Sequence, residues 1–149
     1  MRAVVQRVRN CTVSVAGRPV GHIDEGLLVY LGIGKEDSSS DVKPMCDKIV
    51  NLRIFTDSQD KMNLSVVDTG GSILVVSQFT LFGDAREGRR PSYSSAAEPQ
   101  KARVLYTEFL AALERSGVTI AAGEFQAVME VAYTNMGPVT ILLDSEKRF

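Results

Sequence analysis

The 149-residue chain carries a single histidine, His22, and only two cysteines, Cys11 and Cys46. One histidine excludes any metal site that draws two or more imidazoles from one chain, and it leaves a Ser-His-Asp triad one residue to use. The two cysteines lie far apart and outside any CxxC pattern, which excludes a disulfide framework and a cysteine-rich zinc site. Reduced thiols in a cytoplasm are the simplest reading. Neither sign of charge is in excess, with 17 Lys and Arg against 18 Asp and Glu. A broad basic face is therefore not imposed by composition, which counts against a duplex-wrapping nucleic-acid binder. No apolar run approaches the roughly 18 residues of a membrane span, and the first residues lack the continuous apolar stretch of a signal peptide. What remains is 44% hydrophobic and 23% charged residues. That balance, at this length and without repeats or linkers, predicts one globular domain over residues 1–149.

Periodicity places the elements. Residues 4–8 and 12–15 read as strands separated by Asn10, and Gly17-Arg18-Pro19 as a turn into a hairpin partner at 20–23. Residues 27–33 are a continuous apolar run, consistent with a strand covered on both faces. Val42, Met45, Cys46, Ile49, Val50 and Leu52 then follow helical spacing, with Ser39, Ser40 and Asp41 as candidate cap oxygens. Cys46 falls within that stripe and reads as a buried, inert thiol. Short strands are expected at 53–56, 64–67 and 73–81, and a long polar loop at 82–98. Pro99 opens a second helix with Leu105, Phe109, Ala112 and Leu113 inward, and Gly117 closes it. Strands at 118–121, 127–133 and 139–143 complete a mixed α+β pattern of about seven strands and two helices, with Asn135-Met136-Gly137-Pro138 as a turn before the last.

Few residues offer chemistry. Asp84, Glu87 and His22 have no ligand spacing, and His22 reads as a surface residue of the first hairpin. Gly32-Ile33-Gly34-Lys35 lacks the P-loop pattern and reads as a strand-ending turn. Arg86, Arg89 and Arg90 could meet an anion, although Asp84 and Glu87 offset part of their charge. Two segments stand out. Ser77-Gln78-Phe79-Thr80-Leu81 ends an apolar strand, and strict alternation would turn Gln78 and Thr80 away from Ser77, Phe79 and Leu81, toward a pocket. The other is Asn135-Met136-Gly137-Pro138-Val139-Thr140, where glycine permits close backbone approach.

Those two segments, together with Met1-Arg2-Ala3-Val4-Val5-Gln6-Arg7-Val8, Gly26-Leu27-Leu28-Val29 and Gly88-Arg89-Arg90-Pro91-Ser92, resemble the D-aminoacyl-tRNA deacylases of bacteria and eukaryotes over essentially the whole chain. Met136, Gln126 and Tyr93 differ from the residues most common there. The resemblance implies a β-barrel-like sheet with two helices outside, working as a homodimer on the 3′ end of aminoacyl-tRNA, without cofactor or metal and away from membranes. It implies a catalytic segment of Ser77, Gln78, Phe79 and Thr80. It also implies a substrate-binding segment of Asn135, Met136, Gly137, Pro138, Val139 and Thr140, with Gly137-Pro138 cis and reaching into the partner's site to exclude L-amino acids. Arg7, Arg86, Arg89 and Arg90 are expected at tRNA phosphates, with Arg2 and Arg9 as further candidates. Thr80 is the obvious nucleophile, yet no base accompanies it, so a substrate ribose hydroxyl is the alternative source of activation. Two other readings remain open: a non-catalytic nucleic-acid-binding module on the same fold, and a dimeric scaffold with a vestigial pocket.

Overall fold

Two long antiparallel strands frame the protein in the computed structural model, which describes residues 1–149. β1 (Arg2–Val15) and β2 (Arg18–Gly32) meet at a two-residue turn, Ala16 and Gly17, both at positive φ. Two positive φ angles give the turn whose twist matches that of paired strands. The hairpin is therefore longer and its turn one residue earlier than the sequence pattern suggests. Asn10 does not break β1. It takes φ 50°, and with Cys11 it faces Tyr133 alone, between the pairs Arg9↔Thr134 and Thr12↔Ala132. This bulge resets the alternation, so Val8, Cys11 and Val13 all reach the same core.

From β2 the chain passes through α1 (Ser39–Val50) and a small hairpin, β3 (Phe55–Thr56) with β4 (Met62–Leu64), to β5 (Ser72–Ser77). A 3₁₀ turn, Phe79–Phe82, and α2 (Pro99–Arg115) lead to β6 (Thr119–Ala122), and β7 (Met129–Asp144) returns along β1. The strand order is β6-β5-β2-β1-β7, with β5 parallel to both its neighbours. The architecture is α+β with a five-stranded mixed sheet.

The expected barrel does not close. β6 and β7 are the two edges. β7 starts close to the end of β6, where a Cβ on Gly123 would fall 2.6 Å from Met129 Sδ. Yet β6 has only four residues and ladders with β5, while β7 spends its length on β1. Both helices lie against one face of the sheet. Ile49 of α1 and Phe109 and Leu113 of α2 are fully enclosed there with Val5, Leu27, Val29, Ile73 and Val75, each large side chain contributing about 1.5–3 kcal/mol by burial. Leu28, Leu74, Val76, Val8, Cys11 and Val13 form a smaller core on the opposite face.

Three expected boundaries move. The α1 cap is Ser38, rather than Ser39, Ser40 or Asp41, and its N–H donates to Asp41 Oδ2 at 2.9 Å. The strand expected at 64–67 is Met62–Leu64, because Ser65 Oγ and N–H both turn to the Asp68 carboxylate. The expected strands at 127–133 and 139–143 are one strand, because both halves pair with β1.

Candidate active site

β5 ends at Ser77 because its neighbours run out there: β2 stops at Gly32 and β6 at Ala122. With no ladder ahead, the chain satisfies itself locally. Gln78 N–H donates to Leu31 O at 2.8 Å, Leu81 N–H to Gln78 O at 3.3 Å and Gly83 N–H to Thr80 O at 2.9 Å. The strand expected over 73–81 is therefore a strand to Ser77 followed by a 3₁₀ turn, and the alternation argument for Gln78 and Thr80 fails. The turn lies on Gly32, where a Cβ would fall 2.9 Å from Gln78 O and 3.1 Å from Leu81 Cβ.

The geometry of this turn leaves two donors free. The N–H groups of Phe79 and Thr80 open it and give no hydrogen bond to the rest of the chain, as the first donors of a helical turn do. The Thr80 hydroxyl is exposed and its partner is the Gln78 side-chain amide. An amide cannot take a proton from it, so no general base stands beside Thr80. Phe79 is 58% exposed, and its ring meets Tyr93 edge-on, with centroids 5.0 Å apart.

Beside the turn is an apolar cavity of about 710 Å³. Ser77, Gln78 and Phe79 line one side; Ala102, Tyr106 and Phe125 line another. Its ionisable lining is limited to Glu98, Tyr93 and Tyr106. Tyr106 is buried, its hydroxyl donates to Val75 O at 3.0 Å, and burial pushes its pKa up, so it stays protonated. Thr80 does not line the cavity, and neither do Gly137 and Pro138. The cavity walls Tyr106 and Phe125 carried no functional signal in the sequence. Neither was among the candidates, and only the fold brings them to the cavity at the end of β5.

The second segment is an outsized bulge. Between Gln6↔Thr140 and Val8↔Asn135, β1 has Arg7 alone, whereas β7 has Met136, Gly137, Pro138 and Val139. The excess pushes Gly137 and Pro138 out to solvent. The Gly137-Pro138 peptide is cis, and Gly137 sits at φ +125°. A side chain there would be strained and would also fall 2.8 Å from Val139 Cγ2 and 3.0 Å from Arg7 Nη2. Asn135 ties the base, with its Oδ1 accepting from Val139 N–H at 3.1 Å and its Nδ2 donating to Thr140 Oγ1 at 3.2 Å. Arg7 braces the bulge, donating from Nε to Met136 O at 3.1 Å and from Nη1 to Ile54 O at 2.7 Å. The structure thus brings Asn135 through Thr140 together with Arg7. It does not bring them to the Ser77–Phe79 cavity of the same chain.

The basic residues divide. Arg86 is held by Asp84, with Nε 2.9 Å from Oδ1, and this partner keeps the Asp84 carboxyl down at about 2. Asp84 and Ser92 exchange N–H···O bonds of 2.8 Å, closing a loop on which Arg89 and Arg90 are exposed and without an ion pair. Arg9 is exposed on β1. Arg2 is engaged within the fold by Asp144 and the Leu81 carbonyl. His22 is on the surface of the β1–β2 hairpin, between Thr12 Oγ1 and Asp24 Oδ1.

A family model described as D-Tyr-tRNA(Tyr) deacylase matches residues 4–144. A D-aminoacyl-tRNA deacylase of Syntrophobacter fumaroxidans is 57% identical over 149 residues, the whole of both chains. One of Clostridioides difficile is 58% identical over the same span. A solved structure described as c-Myc DNA Unwinding Element Binding Protein aligns at a TM-score of 0.91 and 40% identity, covering 97% of this chain and 98% of that one.

Proposed function

The chain belongs to the D-Tyr-tRNA(Tyr) deacylase family and is a D-aminoacyl-tRNA deacylase, an ester hydrolase; from that premise we propose how residues 1–149, as one domain, carry out the reaction. The observation that carries the proposal is an apolar cavity lined by Phe79, beside a turn whose Phe79 and Thr80 N–H groups are free and whose Thr80 hydroxyl has only the Gln78 amide as partner. Water adds to the ester carbonyl carbon, the bond to the ribose 3′ oxygen breaks, and a proton passes to that oxygen. The neighbouring 2′-OH of the terminal adenosine helps activate the water. The N–H groups of Phe79 and Thr80 receive the oxyanion, a role backbone donors fill well where water is excluded. Ser77 and Gln78 shape the wall, and Thr80, one residue beyond the lining, serves through its N–H rather than as an acyl acceptor.

Selectivity comes from a second copy of the chain. Gly137 and Pro138 are exposed on the bulge and take no part in lining their own cavity, and the rim of that cavity exposes Phe79, Tyr93 and Val128. In a homodimer the Gly137 and Pro138 carbonyls of one copy enter the other's cavity and block an L side chain while admitting a D one. Met136 and Val139 flank the gate, with Asn135 and Thr140 at its base. Exclusion by clash acts against the wrong ligand, and glycine has no Cβ to clash. Glycyl-tRNA, including tRNA-Ala mischarged with glycine, is therefore a substrate. Arg89 and Arg90 face the tRNA phosphates, whereas Arg86 is held by Asp84 and Arg7 by the Met136 and Ile54 carbonyls. The two buried free thiols suit a reducing cytoplasm.

The test is ester loss from matched D-, L- and glycyl-tRNA. The D and glycyl esters are expected to be cleaved and the L ester spared. A terminal 2′-deoxyadenosine should nearly abolish cleavage, while Thr80→Ala should keep it. Sparing of the glycyl ester would remove the gate. Full cleavage of the 2′-deoxy substrate together with an inactive Thr80→Ala would restore a threonine nucleophile. Binding of tRNA without any release would favour a non-catalytic nucleic-acid module; the 40%-identical solved structure is described as a protein that binds a DNA element.

A further inference from the structure

We propose that Arg2 is a positioning residue for the 3₁₀ turn that carries Phe79 and Thr80, and not a contact to tRNA. The strand register puts Arg2 between Gly32 on β2 and Asp144 on β7. Its guanidinium is only partly exposed and has three partners. Nε donates to Asp144 Oδ2 at 3.2 Å, Nη1 donates to Leu81 O at 3.0 Å, and the charge lies 4.5 Å from the centre of the Phe82 ring. Two of those partners are successive residues of the turn. The third, Asp144, is almost wholly enclosed, with 2% of its side chain exposed.

The arrangement amounts to a clamp. Gly32 supplies the floor, because a Cβ there would meet Gln78 O and Leu81 Cβ. Arg2 supplies the side wall, tying the last residues of the turn to the end of the edge strand. Asp144 in turn fixes the guanidinium, because a planar fork whose Nε–H is held by a carboxylate can present its remaining donors in only a few directions. The 3₁₀ turn has little else to hold it. None of its four residues is buried, and its internal hydrogen bonds close a single turn. A shift of about 1 Å in a catalytic donor can cost on the order of a hundredfold in rate. A guanidinium held by Asp144 and Leu81, with its side chain only 24% exposed, is also poorly placed to take a phosphate.

This inference rests on the deacylase reading for its kinetic arm alone. In Arg2→Ala, amide hydrogen exchange at Leu81 and Gly83 should speed up while Ser72–Ser77 keeps its protection. The kcat for D-aminoacyl-tRNA should fall about tenfold to a hundredfold, with KM and its dependence on salt unchanged. Arg2→Lys keeps the charge opposite Asp144 and should recover part of the rate. Phe149→Ala removes only the more distant ring, 5.9 Å away, and should leave kcat as it was. Unchanged exchange at Leu81 and Gly83 would overturn the proposal. So would a raised KM with a shallower salt dependence, which marks a lost phosphate contact. A wild-type chain that releases no D-amino acid sinks the functional reading instead, and the exchange data still decide the place of Arg2.

Discussion

Gly137 shows how much a single residue can be asked to do. Its φ of +125° lies where an L side chain is strained, and the space a Cβ would take is already held by Val139 and Arg7. Gly137→Ala should therefore cost about 1–3 kcal/mol and weaken D-aminoacyl ester cleavage by at least the same proportion as it distorts the bulge. Urea unfolding and D-ester deacylation measure the two effects. Unchanged unfolding would mean that the bulge adapts and that glycine is there for the substrate alone. The residue type was readable as a turn or a close approach. Its actual reason, four residues of β7 facing Arg7 alone, was not, because the register between two strands far apart in the chain appears only on pairing.

Elements followed the sequence where their signals are local and shifted where a neighbour decides. α2 begins at Pro99 and ends before Gly117, as its punctuation says, because a cap is settled within a few residues. β5 stops at Ser77 although residues 78–81 could continue a strand, because β2 and β6 offer nothing further to pair with. α1 carries an oddity of its own. Pro44 lies inside the helix, exposed, and leaves the Ser40 carbonyl without its helical donor. Pro44→Ala restores that bond at an exposed site and should stabilise the protein by about 1–2 kcal/mol after allowing for the freer unfolded chain. A lowered urea midpoint would show that the proline ring is needed where it is.

At the scale of the molecule, two cores on opposite faces of one sheet each enclose a thiol. Burial pushes Cys11 up to about 11 and Cys46 up to about 12. Both groups favour the protonated form in the folded state, so their contribution is complete below the ordinary thiol value of 9.0 and is lost as pH rises from there to about 12. Tyr30 and Tyr106, also pushed up by burial, act in the same direction. Urea midpoints should hold to about pH 9 and fall steadily above it, and alkylation of either cysteine should wait for unfolding. Rapid labelling of the native protein near neutral pH would contradict this enclosure. No helix is long and apolar enough to cross a membrane.

The sequence alone determined the α+β class, the two helices, the exclusion of any site needing two histidines, and the two segments around Ser77 and Gly137, because composition, periodicity and short motifs are properties of neighbouring residues. The tertiary structure decided what those segments are. It turned the end of a strand into a 3₁₀ turn with free N–H groups, an expected turn into a strand bulge, and Arg2 and Arg7 into braces. It also left the sheet open. Each of these outcomes depends on which strands lie side by side and where each one ends, and long-range pairing sets both.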